Sequence, residues 1–253
     1  MKAQSRSSST ATRRSKRDSA KKTDKWSRAR VMAELRTLAD PKVRAKMSYF
    51  GVKALKAHGI SAPVLHALAK RIGRDHQLAQ ALWRSGIHEA RILAALIGES
   101  GKLTSLQMEK WLRDFDSWDV VDAACCYLFA QSKLAWGKAF AWSQRTAEYE
   151  KRASFSLAAY LAYKDKGASN SQFERFLRLI EREAHDERNF VRKAVNWALR
   201  NIGKRNIPLN RAAIHTAERI RKQDSRAARW IAADALRELK SDAVQKRLLK
   251  DAR

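Results

Sequence analysis

The stretch NFVRKAVNWALRNIG, residues 189–203, decides the fold class of the chain. Phe190, Val191, Ala194, Val195, Ala198 and Leu199 recur at helical spacing and form one apolar stripe. Lys193, Trp197 and Arg200 follow at i, i+4 and i+7 along the border of that stripe, so the segment reads as an amphipathic helix with a basic edge. Three other segments share its plan: EARILAALIG (89–98), EKRASFSLAAYLA (150–162) and SRAARWIAADALREL (225–239). Each opens with charge, carries an arginine in the first turn and then runs apolar. Those arginines, Arg91, Arg152, Arg192 and Arg229, lie 61, 40 and 37 residues apart. The first interval is two units long and contains WDVVDAACCYLFA, which puts Asp122 31 residues after Arg91 and 30 before Arg152. Units of roughly 30–47 residues built from helix pairs are the mark of a solenoid. The expected fold is therefore all-α: a HEAT-like helical-repeat solenoid over residues 26–253 with a concave basic surface wide enough for a duplex.

Breaks at ADP (39–41), HGISAP (58–63), SGIH (85–88), GESGKLT (98–104), KDKGASN (164–170) and GKRNIPLN (203–210) separate the helices. With only 3 Pro and 9 Gly, and few β-branched clusters, no strand pattern competes. No apolar run approaches the roughly 20 residues that span a bilayer. Against 26 Asp+Glu stand 53 Lys+Arg, a formal charge of +27, which points to a polyanionic partner with nucleic acid first. Residues 1–25 hold nine Lys/Arg and two Asp, and read as a disordered basic tail: a phosphate-binding arm, a merely solvated end or, third, a transit peptide. The remaining 228 residues keep about +20, so the body is basic too. Cys125 and Cys126 are adjacent and cannot staple distant segments, which argues against a disulfide framework. His58, His66, His76, His88, His185 and His215 show no ligand-type spacing, and no metal or cofactor is expected. Neither a Gly-rich phosphate loop nor a Ser-His-Asp arrangement is evident.

One stretch runs against the charge of the rest. RDFDSWDVVDAACCYLF (113–129) gathers Asp114, Asp116, Asp119 and Asp122 around Trp118. On a helical wheel Val120, Val121, Ala124, Tyr127 and Leu128 share the core side, while Trp118 and Asp122 lie together on the other. For Asp114, Asp116 and Asp119 the favoured reading is structural, an acidic first turn complementing the helix dipole. The Trp118/Asp122 pair reads equally as packing or as a site. Trp197 between Lys193 and Arg200 suits a nucleic-acid surface, and equally an ordinary amphipathic helix with a basic face. Arg152 sits where the dipole disfavours a cation, which calls for an external anion or a buried carboxylate nearby.

SWDVVDAA, YEKRASFSLAAYLAYKDK and NFVRKAVNWALRNIGKRN, in this order and spacing, resemble the AlkD-like DNA alkylation repair family, as do YFGVK (49–53) and LWRSGIHEARILAALI (82–97). The resemblance covers about residues 40–240. It implies a HEAT-like array of DNA glycosylases that removes cationic N3- and N7-alkylated purines without flipping the base into a pocket. Carried onto this chain, the catalytic carboxylate is Asp122, the tryptophans around the lesion's sugar are Trp118 and Trp197, and the phosphate-binding arginine is Arg152. Lys193, Arg200, Lys204 and Arg205 are the further candidates for binding DNA. Where the family often has another tryptophan before the first, this chain has Ser117. The implied partner is double-stranded DNA containing alkylated purines, bound by a monomer in a bacterial, cytoplasmic, DNA-associated setting. Some relatives are catalytically silent, so a HEAT-repeat binder of damaged or branched DNA is the alternative, and a scaffold for acidic proteins the third.

The chemistry fits a lone carboxylate. An alkylated purine already carries positive charge and leaves neutral, without a general acid, while the deoxyribose turns cationic. A carboxylate beside that sugar is worth up to roughly 4 kcal/mol at about 4 Å and an effective dielectric near 20. Neutral lesions such as uracil and hypoxanthine are expected to be poor substrates.

Overall fold

Many helix starts in this chain are written by short polar caps or by proline. A computed structural model describes residues 26–52 and 54–251. Its first seven helices are α1 (Arg28–Thr37), α2 (Pro41–Met47), α3 (Ala62–Ile72), α4 (His76–Trp83), α5 (His88–Ile97), α6 (Ser105–Arg113) and α7 (Trp118–Tyr127). There follow α8 (Ala135–Trp142), α9 (Glu148–Lys164), α10 (Asn170–Glu183), α11 (Asn189–Gly203), α12 (Ile207–Ile220), α13 (Arg226–Leu239) and α14 (Asp242–Asp251). Ser27, Asp40, Asp75, Thr104, Asn206 and Ser225 each accept a backbone N–H from the first turn of the helix they precede. Ser169 and Gln172 close a reciprocal capping box on α10. All three prolines fall in the first turn of a helix, on α2, α3 and α12, where a missing N–H costs nothing.

The expected all-α class holds among the described residues. Helices α5, α7, α9, α11 and α13 stack one on the next, and α4, α8 and α12 back this row on α5, α9 and α13. One apolar cluster runs through the array from Val31 to Leu239. Its densest part is aromatic: Trp83 and Trp111 stack with centroids 3.8 Å apart, and Phe115, Phe129 and Trp142 continue the line. Every break read from glycine or proline separates helices. The breaks at 114–117, 143–147, 184–188 and 221–225 carry neither residue and left no such mark in the sequence. The expected basic tail, residues 1–25, lies outside the described residues.

Two details differ from the sequence reading. Arg91, Arg192 and Arg229 are each the fourth residue of their helix, whereas Asp122 and Arg152 are each the fifth, level with Lys193 and Trp230. Asp122 is therefore in register with Arg152 but one step from the others. Tyr127 and Phe190, assigned to apolar stripes, are only half-buried and face open space.

Glu89 fixes the segment between α2 and α3. Its buried carboxylate accepts from the backbone N–H groups of His58 (3.0 Å), Gly59 (2.6 Å) and Ile60 (3.3 Å). Gly59 has φ +79°, and a Cβ there would lie 2.4 Å from the Asp40 carbonyl oxygen. Replacing Glu89 by Ala strands these donors, and stability is expected to fall by about 3 kcal/mol. Urea unfolding of the variant against wild type checks this, and an unchanged midpoint contradicts it.

Candidate active site

The acidic stretch around Trp118 is a set of staples between successive repeats. Asp114, which ends α6, accepts from Trp83 Nε1 at 2.8 Å. Asp116 pairs with Arg91 at 2.9 Å, and Asp119, in the first turn of α7, pairs with His88 Nε2 at 2.9 Å. Only Asp119 lies in a first turn as the dipole reading requires; Asp114 and Asp116 lie between α6 and α7, and all three are held by side chains of the preceding repeat. Ser117 is fully buried and its hydroxyl donates to Asp119. Ser117 thus fixes the carboxylate two residues on.

Asp122 is not a lone carboxylate. Its Oδ2 accepts from Arg152 Nη2 at 2.7 Å and its Oδ1 from Ser156 Oγ at 2.9 Å. Arg152 Nη1 also donates to the Phe190 carbonyl at 2.8 Å, so one guanidinium joins α7, α9 and α11. Arg152 is almost fully buried, and its guanidinium lies over the Trp118 ring, 5.7 Å from the centroid. Of the two explanations for a cation in the first turns of α9, the buried carboxylate is the one present. Burial pushes the Asp122 carboxyl above its ordinary range. The charge and hydrogen bond of Arg152 and the Ser156 hydroxyl offset only part of that rise.

Two concavities meet at Asp122. A cavity of about 630 Å³ is walled by Phe50, Leu65, His88, Trp118, Asp122 and Tyr160, among others. A shallower trough of about 370 Å³ is lined by Asp122, Arg152, Lys193, Trp197 and Trp230. Asp122 borders both, whereas Arg152 borders only the trough. A third hollow connects Phe50 and Trp118 with Arg152 and Lys193. Trp118 is held by donation from Nε1 to the Phe50 carbonyl at 3.0 Å, and Trp197 by an edge contact with Tyr160 at 4.8 Å.

The remaining candidates for binding DNA separate sharply. Lys193 is exposed and has no hydrogen-bond or ion-pair partner among the described residues. Arg200 and Lys204 are both paired with Glu238 on α13. Arg205 donates to the carbonyls of Ala162, Lys166 and Ala168 at the end of α9 and lies on the Phe173 ring. In this arrangement Arg152, Arg200, Lys204 and Arg205 hold repeats together, and Lys193 is the exposed candidate without a partner among the described residues. Sequence reading missed Ser156, Tyr160 and the cavity wall from α2 and α3. Arg152, Ser156 and Tyr160 recur at i, i+4 and i+8 on α9, and that stripe was the available signal.

A solved structure described as "a new family of proteins related to the HEAT-like repeat DNA glycosylases with affinity for branched DNA structures" superposes with a TM-score of 0.71 at 20% identity, covering 85% of this chain and 96% of that one. The fold is thus of the HEAT-like repeat class. The family model for DNA alkylation repair enzymes matches residues 31–239, and the chain belongs to that family. No curated protein matches it. Among the described residues no helix is long and apolar enough to cross a membrane.

Two outcomes follow from the pairs. Arg152→Ala leaves the Asp122 carboxylate buried without its cation and should cost about 3 kcal/mol. Adding Asp122→Asn should recover part of that loss, and strict additivity in the double-mutant cycle would show that the two side chains do not interact. His88 is held above its ordinary value of 6.5: burial, the largest influence, lowers it, but the bond to Asp119 and the charges of Asp119, Glu89 and Asp116 outweigh burial. A raised histidine contributes fully below 6.5 and loses its contribution as pH rises through the higher folded value. Unfolding free energy should therefore decline as pH rises from 6.5 to the folded value and level off above it, and Asp119→Asn should flatten the decline.

Proposed function

We propose that this protein hydrolyses the N-glycosidic bond of cationic N3- and N7-alkylated purines in duplex DNA. The carrying observation is that Asp122, oriented by Arg152 and Ser156, borders both the trough with Trp197 and the cavity with Trp118. Each carboxylate oxygen accepts one hydrogen bond from these residues and keeps further acceptor capacity. In the reaction the C1′–N bond breaks and its electron pair leaves with the base, which becomes neutral. Positive charge appears on the sugar, a water oxygen bonds to C1′, and the water's proton passes to solvent. The carboxylate favours that charge, and fixed orientation spares reorganisation during the step. Arg152 reduces the benefit for a cation in the trough, where both charges are met. Lys193 supplies phosphate attraction, and no cofactor is invoked. The trough, on this reading, follows the backbone of the duplex on a basic concave face.

The Asp122–Arg152 pair also favours a second reading, a binder of damaged or branched DNA without catalysis, because a neutralised carboxylate has a weaker field. Release of 3-methyladenine or 7-methylguanine from methylated duplex separates the two. Wild type should release base above the enzyme-free control, and Asp122→Asn should lose at least a hundredfold in rate with DNA affinity retained, equivalent to about 3 kcal/mol of barrier. Lys193→Ala should make the salt dependence of binding shallower by about one unit of slope. Absence of any release, with tight binding to four-way junctions, would establish the binder instead.

A further inference from the structure

Between α4 and α6 lies a hollow of about 530 Å³ that the reaction at Asp122 does not use. It shares no lining residue with the cavity, the trough or the hollow beside Trp118, and α4 belongs to the helices that back the central row. We infer that it is a second DNA-phosphate site, which lets one chain hold the backbone of a second duplex arm while the trough holds the first. The inference concerns DNA binding alone and does not rest on the glycosylase reading.

The other seams between backing helices are closed by carboxylates. Glu109 on α6 accepts from Lys138 (2.6 Å) and Trp142 Nε1 (2.9 Å) on α8 and from Arg145 (2.7 Å) just beyond it. Glu181 on α10 accepts from Arg219 on α12 at 2.8 and 2.7 Å. The seam between α4 and α6 is crossed by amides instead: Gln80 Nε2 donates to Gln107 Oε1 at 3.3 Å, and that oxygen also meets His76 Nε2 at 3.0 Å. Arg84, Lys110 and Arg113 line this hollow, are exposed and have no side-chain partner among the described residues. Its one lining carboxylate, Asp114, is engaged by Trp83 Nε1. Gln107 is itself buried, and its Nε2 has no partner, which leaves an amide donor in the wall beside three free cations. Cations and a side-chain amide are the groups that hold phosphate oxygens. An acidic protein segment would need an apolar socket as well. Trp83 and Trp111 stack on each other at 3.8 Å and are almost fully buried, so neither offers a face, and Leu106 is the one exposed large apolar residue along the hollow. Phosphate backbone is therefore the occupant that the lining favours.

The probes are a four-way junction and a linear duplex with the sequence of one of its arms. Their affinities for the full chain are read by fluorescence anisotropy across a salt series, beside 3-methyladenine release from methylated linear duplex. Wild type should bind the junction at least tenfold more tightly. Its salt slope should be steeper by about three units, one for each of Arg84, Lys110 and Arg113. Gln107→Glu keeps the oxygen that His76 and Gln80 meet, loses no hydrogen bond, and supplies the carboxylate that the other seams have. The double variant Lys110→Glu, Arg113→Glu changes only exposed side chains. Each should lower junction affinity at least tenfold, with duplex affinity within twofold of wild type and base release unchanged. Equal affinity of wild type for the two probes overturns the inference. So does an equal fall of both affinities in the variants, which would make the hollow part of one continuous duplex surface. Junction affinity that survives both changes overturns it as well, and polyglutamate binding to wild type but not to Gln107→Glu would then assign the hollow to an acidic protein. Absence of base release in every form, wild type included, removes the glycosylase reading and leaves this site standing.

Discussion

The contact between Asp122 and Arg152 is the one on which the middle of the molecule depends. In a helical array each unit touches only its neighbours, so the stacking of successive units must be fixed locally. Apolar stripes supply attraction but little register, because Ala, Leu and Val faces can slide with modest loss. A buried guanidinium bonded to Asp122 on α7 and to the Phe190 carbonyl on α11 cannot slide, since either shift breaks a charge-assisted bond of 2.7–2.8 Å. Desolvating both groups is costly, and hydrophobic residues of similar size could stabilise the seam as well. What the pair adds is position. It holds a carboxylate at a single place between a cavity and a trough.

The same logic explains why a chain of +27 gathers acids in one stretch. Asp114, Asp116, Asp119 and Asp122 each reach a residue of an adjoining repeat: Trp83, Arg91, His88 and Arg152. Glu238 does likewise for Arg200 and Lys204 near the other end. In a basic protein a carboxylate is the scarce partner, and placing it at a seam ties two repeats while quenching local repulsion. Cations left over, Lys193 among them, stay at the surface.

Much of the fold was legible because its determinants are local. Prolines and polar caps mark helix starts, the 3.6-residue stripe marks buried faces, and the recurrence of that stripe in 189–203 and 225–239 marks the array. The identity of the central residues was legible as well: Trp118, Asp122, Arg152 and Trp197 do come together. Their relations were not. Whether Arg152 meets a phosphate or Asp122 depends on helix register, and a one-residue offset separates it from Arg91, Arg192 and Arg229. The pairing of Arg200, Lys204 and Arg205 depends on contacts 34 to 43 residues away in sequence, which no local pattern reports. The cavity is hidden for the same reason, since its walls come from α2, α3, α5, α7 and α9.

For the proposed reaction, the effect of the ion pair turns on direction rather than on its presence. Seen from the trough, carboxylate and guanidinium are both at the wall, and their fields on a cation largely cancel. Seen from the cavity, Asp122 is at the wall and Arg152 is not. At an effective dielectric near 20, opposite charges at about 4 and 7 Å leave a net attraction of roughly 2 kcal/mol, against about 4 for a carboxylate alone. A sugar cation approaching from the cavity side would therefore retain about half of the unpaired effect, with the carboxylate already fixed in orientation. The pairing that weakens the field is also what prevents the side chain from turning away, and on this geometry the approach of the substrate decides which consequence dominates.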